Sequence, residues 1–211
     1  MEDLIEFFLK AGEVKRLKQR GLVLRGVTNP ALIGEHSFRE ALMGWVFARK
    51  HDPPLDSTRI MKMVLLHDLA RGYAGDITPY DPILKKHRGI STEEIYKSWV
   101  RLPQKEKLRF FEESEKKESK ALRKLVAHLP PIIKHEFEAL WKEYSSGATK
   151  EARFVYQLHT MENFLQALEY WRNDKSFPIE SYWHQMKEAM SDPLLIELLQ
   201  ALDNKFYGKK K

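Results

Sequence analysis

Apolar residues recur every three or four positions along most of this chain, which is the spacing of one face of an α-helix. The clearest stripe lies between residues 149 and 171 and consists of Phe154, Leu158, Met161, Leu165 and Leu168. The same periodicity, interrupted by glycine, proline and serine breaks, predicts further helices near residues 2–11, 33–51, 59–68, 92–100, 104–128, 132–144, 180–190 and 193–202. The pattern predicts an all-α fold.

Within the segment 33–51 we expect the bulky apolar residues to face the core, because a helix of a globular protein turns its apolar stripe inward. The residues concerned are Phe38, Leu42, Trp45, Val46 and Phe47. Residues 85–102 read as an insertion that could act as a lid, and residues 16–30 read as a basic loop. The two last helices resemble a packing or dimer-forming pair.

Composition indicates a soluble globular protein, with 43% hydrophobic and 31% charged residues. The sequence contains no apolar run long enough for a membrane span and no secretion signal, so we expect a cytoplasmic location. At 211 residues the chain is long enough for one well-filled domain. Because cysteine is absent, any metal must be held by histidine, aspartate, glutamate and water.

The formal net charge is +6, yet the 36 basic and 30 acidic residues are largely interleaved along the chain. Mixed charges of this kind are typical of solvated helix faces. Nucleic-acid binding is therefore possible but not favoured.

The candidate chemistry centres on His67 and Asp68, at the end of an apolar predicted helix. A carboxylate taken out of water needs a partner, and a metal ion is one such partner. His36 lies upstream, while His159 and Glu162 lie three residues apart on a later helix and can point into one pocket. Taken alone, each of these residues is more typical of a helix end or a surface position.

Together these motifs resemble the HD-domain phosphohydrolase superfamily. The segments Gly75-Asp76-Ile77-Thr78-Pro79, Trp141-Lys142-Glu143-Tyr144 and Ala152-Arg153-Phe154-Val155 extend the similarity to its 5'-deoxynucleotidase branch. The resemblance implies an all-α HD-domain helical bundle with extra C-terminal helices. It also implies one domain over residues 1–211, with a core at about 14–171 and C-terminal helices at about 178–203.

For function, the resemblance implies hydrolysis of a phosphate monoester by water bound to a divalent ion. The implied metal ligands are His36, His67, Asp68 and His159. A nitrogen-rich set of this kind suits Zn, Co, Mn, Ni or Fe and disfavours Mg. Asp76 takes the place of a catalytic aspartate, and the implied substrate is a small phosphorylated molecule, with a nucleotide favoured. Relatives of this type also imply a homodimer.

Four positions depart from the family pattern, namely Gln19, Leu22, Arg71 and His159. Gln19 and Leu22 stand where an arginine and a tryptophan bind the substrate's phosphate and sugar, and His159 replaces a ligand aspartate. Arg71 replaces a catalytic glutamate, so it either holds the phosphate or pairs with Asp76 or Glu35 and stops the chemistry. The predicted catalytic residues are Asp76 and Arg71, and the predicted substrate-binding residues are Arg16, Arg20 and Glu35.

Two hypotheses follow from this reading. The first is a metal-dependent phosphohydrolase that cleaves a (deoxy)nucleoside 5'-monophosphate. The alternative is a catalytically impaired protein of the same fold that binds a nucleotide, a nucleic acid or a protein partner. Bound metal distinguishes the two, because only the first requires it.

Overall fold

The regular structure of this chain is helical in the computed structural model, which describes residues 1–78, 80–81, 89, 91, 94 and 102–208. A 3₁₀ turn covers Gly12–Arg16, and Lys18 pairs with Leu32 in an isolated antiparallel bridge. The helices are α1 (Glu2–Ala11), α2 (Arg20–Val23), α3 (Ile33–Lys50), α4 (Ser57–His67), α5 (Arg71–Ala74), α6 (Gln104–Leu125), α7 (Pro131–Ser146), α8 (Lys150–Asn173), α9 (Glu180–Ala189) and α10 (Pro193–Tyr207). The predicted all-α fold is confirmed.

Side-chain caps define the starts of three helices. Asp56 accepts a hydrogen bond from the backbone N–H of Arg59 at the start of α4, and Thr149 accepts one from Ala152 at the start of α8. Asp192 does the same at the start of α10. Each cap satisfies a backbone donor that the helix itself leaves free, which fixes where the helix begins.

The core forms where α3, α4 and α8 pack against one another. Helix α7 packs against α4 and α8, while α9 and α10 cover other parts of α8. One cluster of buried apolar residues extends from Leu22 to Leu202. The stripe predicted for α8 faces the core: Phe154, Leu158, Met161 and Leu168 are buried, and Leu165 is partly buried against the cluster.

Gly44 permits the close approach of these helices. A Cβ atom at this position would lie 2.8 Å from Cγ2 of Ile60 in α4 and 3.3 Å from Cδ2 of Leu158 in α8. Both distances are shorter than ordinary carbon contacts. The absence of a side chain at Gly44 therefore determines how near α3 lies to its two neighbours.

The predicted orientation of α3 is wrong for its bulkiest residues. Phe38 is 73% exposed and Trp45 is 55% exposed, and Leu42 and Val46 are exposed as well. The opposite side of the helix is buried instead, through His36, Glu40, Gly44 and Ala48. Small and polar residues face the neighbouring helices because the helices lie too close together for large side chains. Phe47 is half-buried against the core, as expected.

Other differences from the predicted elements are local. The basic loop at residues 16–30 contains the single turn of α2, with Leu22 buried, and the loop before Asp76 begins with the single turn of α5. The helix predicted at residues 92–100 and most of the proposed insertion lie outside the described residues. Among the residues described, none of the helices has both the length and the apolar character needed to cross a membrane.

Candidate metal centre

Three helices bring ligand-type side chains to one buried place. Helix α3 contributes His36 and Glu40, which lie one turn apart on its inner face. Helix α4 ends with His67, and α8 contributes His159. His36, Glu40 and His67 are at most 3% exposed. A group of this composition in a protein interior is unusual unless its charges are compensated.

The donor atoms of these four residues converge. Nδ1 of His159 lies 2.9 Å from Nε2 of His36 and 2.9 Å from Nε2 of His67. Oε2 of Glu40 lies 3.0 Å from Nε2 of His36 and 3.3 Å from Nε2 of His67. All four donor atoms lie within 4.8 Å of one another. Side chains from helices far apart in sequence therefore point at a single position.

The arrangement fits a divalent transition-metal ion. Ligands about 2.1 Å from a metal are separated from each other by about 3.0–3.4 Å. The distances from His159 Nδ1 and Glu40 Oε2 to the other donor atoms, 2.9 to 3.4 Å, are close to this range. Oε1 of Glu40 is buried and has no hydrogen-bond partner among the described residues, so an additional cationic partner is expected. Three imidazole nitrogens with one carboxylate favour Zn, Co, Ni, Mn or Fe over Mg.

Neighbouring groups orient two of the imidazole rings. The Nδ1–H of His67 donates to the backbone carbonyl of Val64 at 2.6 Å, which leaves Nε2 free to act as a ligand. Nδ1 of His36 contacts the buried carboxylate of Glu162, so Nε2 of His36 is directed in the same way. Arg39 binds the other oxygen of Glu162 at 2.8 Å. Such outer partners set the tautomer and the direction of a ligand histidine.

The electrostatics favour positive charge in this pocket. Burial alone would lower the pKa of His36, but hydrogen bonds to Glu162 and Glu40 raise it to about 10. Burial opposes ionisation of Glu40, yet the charge of His67 and hydrogen bonds from His159 and His36 hold the pKa of Glu40 well below its usual range. For His159, burial lowers the pKa, which favours the neutral form that binds metals.

Asp68 lies beside this group, and a second cluster begins there. Its Oδ2 is 3.6 Å from Nε2 of His36, and its Oδ1 is 3.0 Å from Nε of Arg71. The Nη1 of Arg71 is 3.1 Å from Oδ1 of Asp76, whose Oδ2 accepts the backbone N–H of Arg20 at 2.7 Å. Burial of Asp68 works against its charge, but Arg71 nearby keeps the pKa of that carboxyl well below its ordinary value. Arg71 thus joins Asp68 to Asp76.

The remaining predicted residues have other surroundings. The guanidinium of Arg20 binds Asp81 at 2.7 Å, and Glu35 caps α3 by accepting the backbone N–H of Leu32 at 2.8 Å. Arg16 is exposed, whereas Gln19 is buried. Within the described part of the chain, the structure does not bring Arg16 or Glu35 into contact with the centre.

The sequence reasoning missed Glu40. Its signal was the spacing of four residues from His36, which places both side chains on the same face of α3. The sequence predicts His36 as a metal ligand but also predicts that the bulky apolar residues on the opposite side face the core, so Glu40 received no role. The error in the orientation of α3 therefore also hid a candidate ligand.

Histidines and carboxylates are buried between three helices, in an arrangement that could hold a metal ion. This places the chain in the class of all-α proteins with a candidate metal centre in the interior. The profile of the HD domain family matches residues 11–199, and the chain belongs to that family. The resemblance drawn from His67, Asp68 and their neighbours is confirmed.

Known relatives extend along nearly the whole chain. It is 28% identical over 201 residues to the 5'-deoxynucleotidase HDDC2 of Mus musculus, covering 95% of this chain and 86% of the relative. It is 29% identical over 202 residues to the HDDC2 protein of Xenopus laevis, with 95% and 86% coverage. A conserved hypothetical protein of Pyrococcus furiosus has the same fold, with a TM-score of 0.68, 22% identity, and coverage of 95% of this chain and 99% of that one.

Proposed function

We propose that this protein is a metal-dependent phosphohydrolase that cleaves a phosphate monoester, with a (deoxy)nucleoside 5'-monophosphate as the favoured substrate. The observation that carries the proposal is the convergence of three imidazole nitrogens and the Glu40 carboxylate on one buried position. Membership of the HD domain family and the names of the HDDC2 relatives support the same reaction class. A cytoplasmic location and a homodimer form part of the proposal.

In this proposal His36, His67 and His159 hold the ion together with Glu40, and Asp68 completes the anionic side of the centre. A divalent cation at such a site supplies Lewis acidity, which acidifies water and offsets charge on phosphoryl oxygens. Glu162 keeps His36 in the ligand tautomer, and Val64 does so for His67. The ion is a transition metal, since nitrogen donors predominate.

Asp76 and Arg71 orient the reacting groups. Each oxygen of the Asp76 carboxylate already accepts from one donor, Arg20 N–H or Arg71, so its position is fixed. A fixed carboxylate aligns a water molecule for attack and accepts its proton. Arg71 places a permanent cation beside Asp68, where the dianionic phosphate of a monoester is stabilised. Arg16 and Arg20 are the proposed residues at the substrate entrance.

A second function is favoured by the same ion pairs. If Arg71 neutralises both Asp68 and Asp76, no carboxylate is left to activate water and the site has no turnover. The protein would then be a catalytically impaired member of the family that binds a nucleotide, a nucleic acid or a protein partner.

The test is phosphate release from a panel of ribo- and deoxyribonucleoside 5'-monophosphates with Co, Mn, Ni or Zn. We expect release with at least one of these ions, and its loss in His67→Asn. His184→Asn is the matched control, because His184 is exposed on α9. Silence across the panel by protein with stoichiometric metal would contradict the hydrolase, and nucleotide binding under those conditions would support the second function.

A further inference from the structure

The outward face of α3 carries a regular apolar stripe. Phe38, Leu42, Trp45 and Val46 are each between 49% and 73% exposed. Exposed apolar residues are common singly, but a contiguous row with two aromatic side chains marks a binding surface. These four residues, with Glu35 and Arg49 at the ends, are called the α3 stripe.

The spacing of the α3 stripe is that of a helix-packing seam. Glu35, Phe38, Leu42, Trp45 and Arg49 follow one another at intervals of three, four, three and four residues. This alternation keeps a row of side chains on the side that meets a partner helix. The partner of this face is therefore expected to be another helix.

The charges of the α3 stripe identify that helix. Leu42 stands at its midpoint, with the acidic Glu35 seven residues before it and the basic Arg49 seven residues after it. Both charged residues are exposed. A second α3 packed antiparallel across a two-fold axis at Leu42 places Glu35 of each copy opposite Arg49 of the other. Phe38 then faces Val46 and Trp45, and the helix dipoles oppose each other favourably.

We propose that the α3 stripe is the interface of an isologous homodimer, formed by antiparallel packing of α3 from two copies of this chain about an axis at Leu42. The inference rests on the homodimer of the proposed function and names its surface. Since His36 and Glu40 lie on the inner side of α3, dimerisation would support the helix that holds two ligands of the metal centre.

The first test is the oligomeric state of the full chain, measured by sedimentation equilibrium at concentrations from 1 to 100 µM, chosen to span roughly the affinities of weak and stable dimers. We expect a dimer for the unmodified chain and a monomer for Leu42→Glu, which places two carboxylates together at the axis. Leu108→Glu is the matched control, because Leu108 is 52% exposed on α6. Circular dichroism verifies that each variant is folded.

Charge exchange tests the antiparallel arrangement. Glu35→Arg and Arg49→Glu should each weaken the dimer when studied alone, since each creates two like-charge contacts across the interface. An equimolar mixture of the two variants should form a heterodimer in which all end charges are again opposite. In a parallel dimer Glu35 would already face Glu35 and Arg49 would face Arg49, so neither single variant would weaken it. Unchanged association of both single variants would therefore overturn the antiparallel arrangement.

Crosslinking gives an independent geometric test, because the chain has no cysteine. Leu42→Cys should be joined to its copy by a short bismaleimide. Glu35→Cys should not, because its copies would lie about 21 Å apart along the helix axes at 1.5 Å per residue. If the dimer persisted in Leu42→Glu and was lost in Phe8→Glu, the interface would lie on α1. That result would overturn the inference about the α3 stripe but not the proposed homodimer. A monomer at all concentrations would also overturn the proposed homodimer, and phosphate release is measured separately from both outcomes.

Discussion

Glu40 is the residue on which the chemistry of the centre depends most directly. Its Oε2 lies within 3.4 Å of a ring nitrogen of each of the three histidines. Its negative charge balances a cation placed among them, and because Glu40 is fully buried, bulk solvent does not screen that interaction. Replacement by a neutral side chain of the same shape therefore isolates the role of the charge.

We predict that Glu40→Gln weakens the binding of Co²⁺ or Zn²⁺ by at least about tenfold, since changes to groups outside the ligand shell alone cost 10–100-fold. The measurement is elemental analysis together with titration of the Co²⁺ absorption spectrum. Glu197→Gln is the control, because the Glu197 side chain is 70% exposed on α10. Unchanged affinity in Glu40→Gln would remove Glu40 from the ligand set.

The sequence predicts most of the residues that form the candidate metal centre, but not every residue in contact with them. His36, His67, Asp68 and His159 were expected to converge, and the structure places their side chains together. What linear sequence does not contain is the rotation of each helix about its axis. Glu40 could be assigned only once the inner face of α3 was known. The sequence predicts for Arg71 either phosphate binding or pairing with Asp76 or Glu35, and the structure shows the pair with Asp76. The contact of Arg71 with Asp68 is not predicted by the sequence.

The imidazole of His51 connects the end of α3 to the start of α10. Nδ1 of His51 contacts the carbonyl oxygen of Pro53 at 2.9 Å, and its Nε2 contacts Oδ2 of Asp192 at 3.0 Å. Both contacts require a proton on the ring nitrogen. The carbonyl of Pro53 and the carboxylate of Asp192 therefore raise the pKa of His51 above its usual 6.5.

We predict that this contact stabilises the fold in acid and not in base. A raised folded pKa gives stability that is complete below pH 6.5 and is lost as the pH rises through the folded value. Asp192→Asn removes the charge but keeps a side chain that caps α10. The difference in unfolding free energy between the unmodified chain and Asp192→Asn should be largest at pH 5.5 and should shrink by pH 8.5.

Chemical denaturation of both proteins in the presence of a chelator provides these values. Asp192→Ala serves as a comparison, because it also loses the cap to Leu194 and Leu195, at a further cost of about 0.5–2 kcal/mol at every pH. A difference that grew with pH would contradict the assignment of a charged His51.

The close packing of α3 against α4 and α8 depends on Gly44, so a larger residue at this position should destabilise the protein. Gly44→Ala should destabilise the protein by about 1–3 kcal/mol through overpacking, more than the helix propensity of alanine returns. Gly12→Ala is the matched control, since a Cβ at Gly12 would meet only Lys15 Cε at 3.9 Å. In the double variant with Ile60→Leu, which removes the offending Cγ2, the cost should be smaller than the sum of the single costs.

The helices themselves could be predicted well, because capping residues and apolar periodicity are local signals. The orientation of α3 could not, because the rule that large apolar residues face inward fails where a helix uses its outer face for another purpose. The repeat of His36, Glu40, Gly44 and Ala48 every four residues was the available signal. In α3 the residues at that spacing, and not the bulky apolar ones, mark the face that contacts the neighbouring helices.

At the scale of the whole molecule, the metal centre joins parts of the chain that are far apart in sequence. His36 and His159 are separated by 123 residues, and the helices that carry them are the central ones of the fold. An ion bound there adds its binding free energy to folding, because the unfolded chain has no such site. The stability of the entire domain should therefore depend on free metal concentration.

We predict that Zn²⁺ or Co²⁺ at 100 times its Kd raises the free energy of unfolding by about 2.7 kcal/mol. For a chain of this length that corresponds to a rise in Tm of roughly 5–10 °C, which a thermal melt detects readily. A chelator should reverse the rise, and Glu40→Gln should reduce it because its ion binds less tightly. Since the ion acts through the folded state alone, the increase should follow the logarithm of its free concentration. If neither metal nor chelator changed the Tm, the buried histidines and carboxylates would stabilise one another without an ion. The pocket would then be a structural ion-pair network.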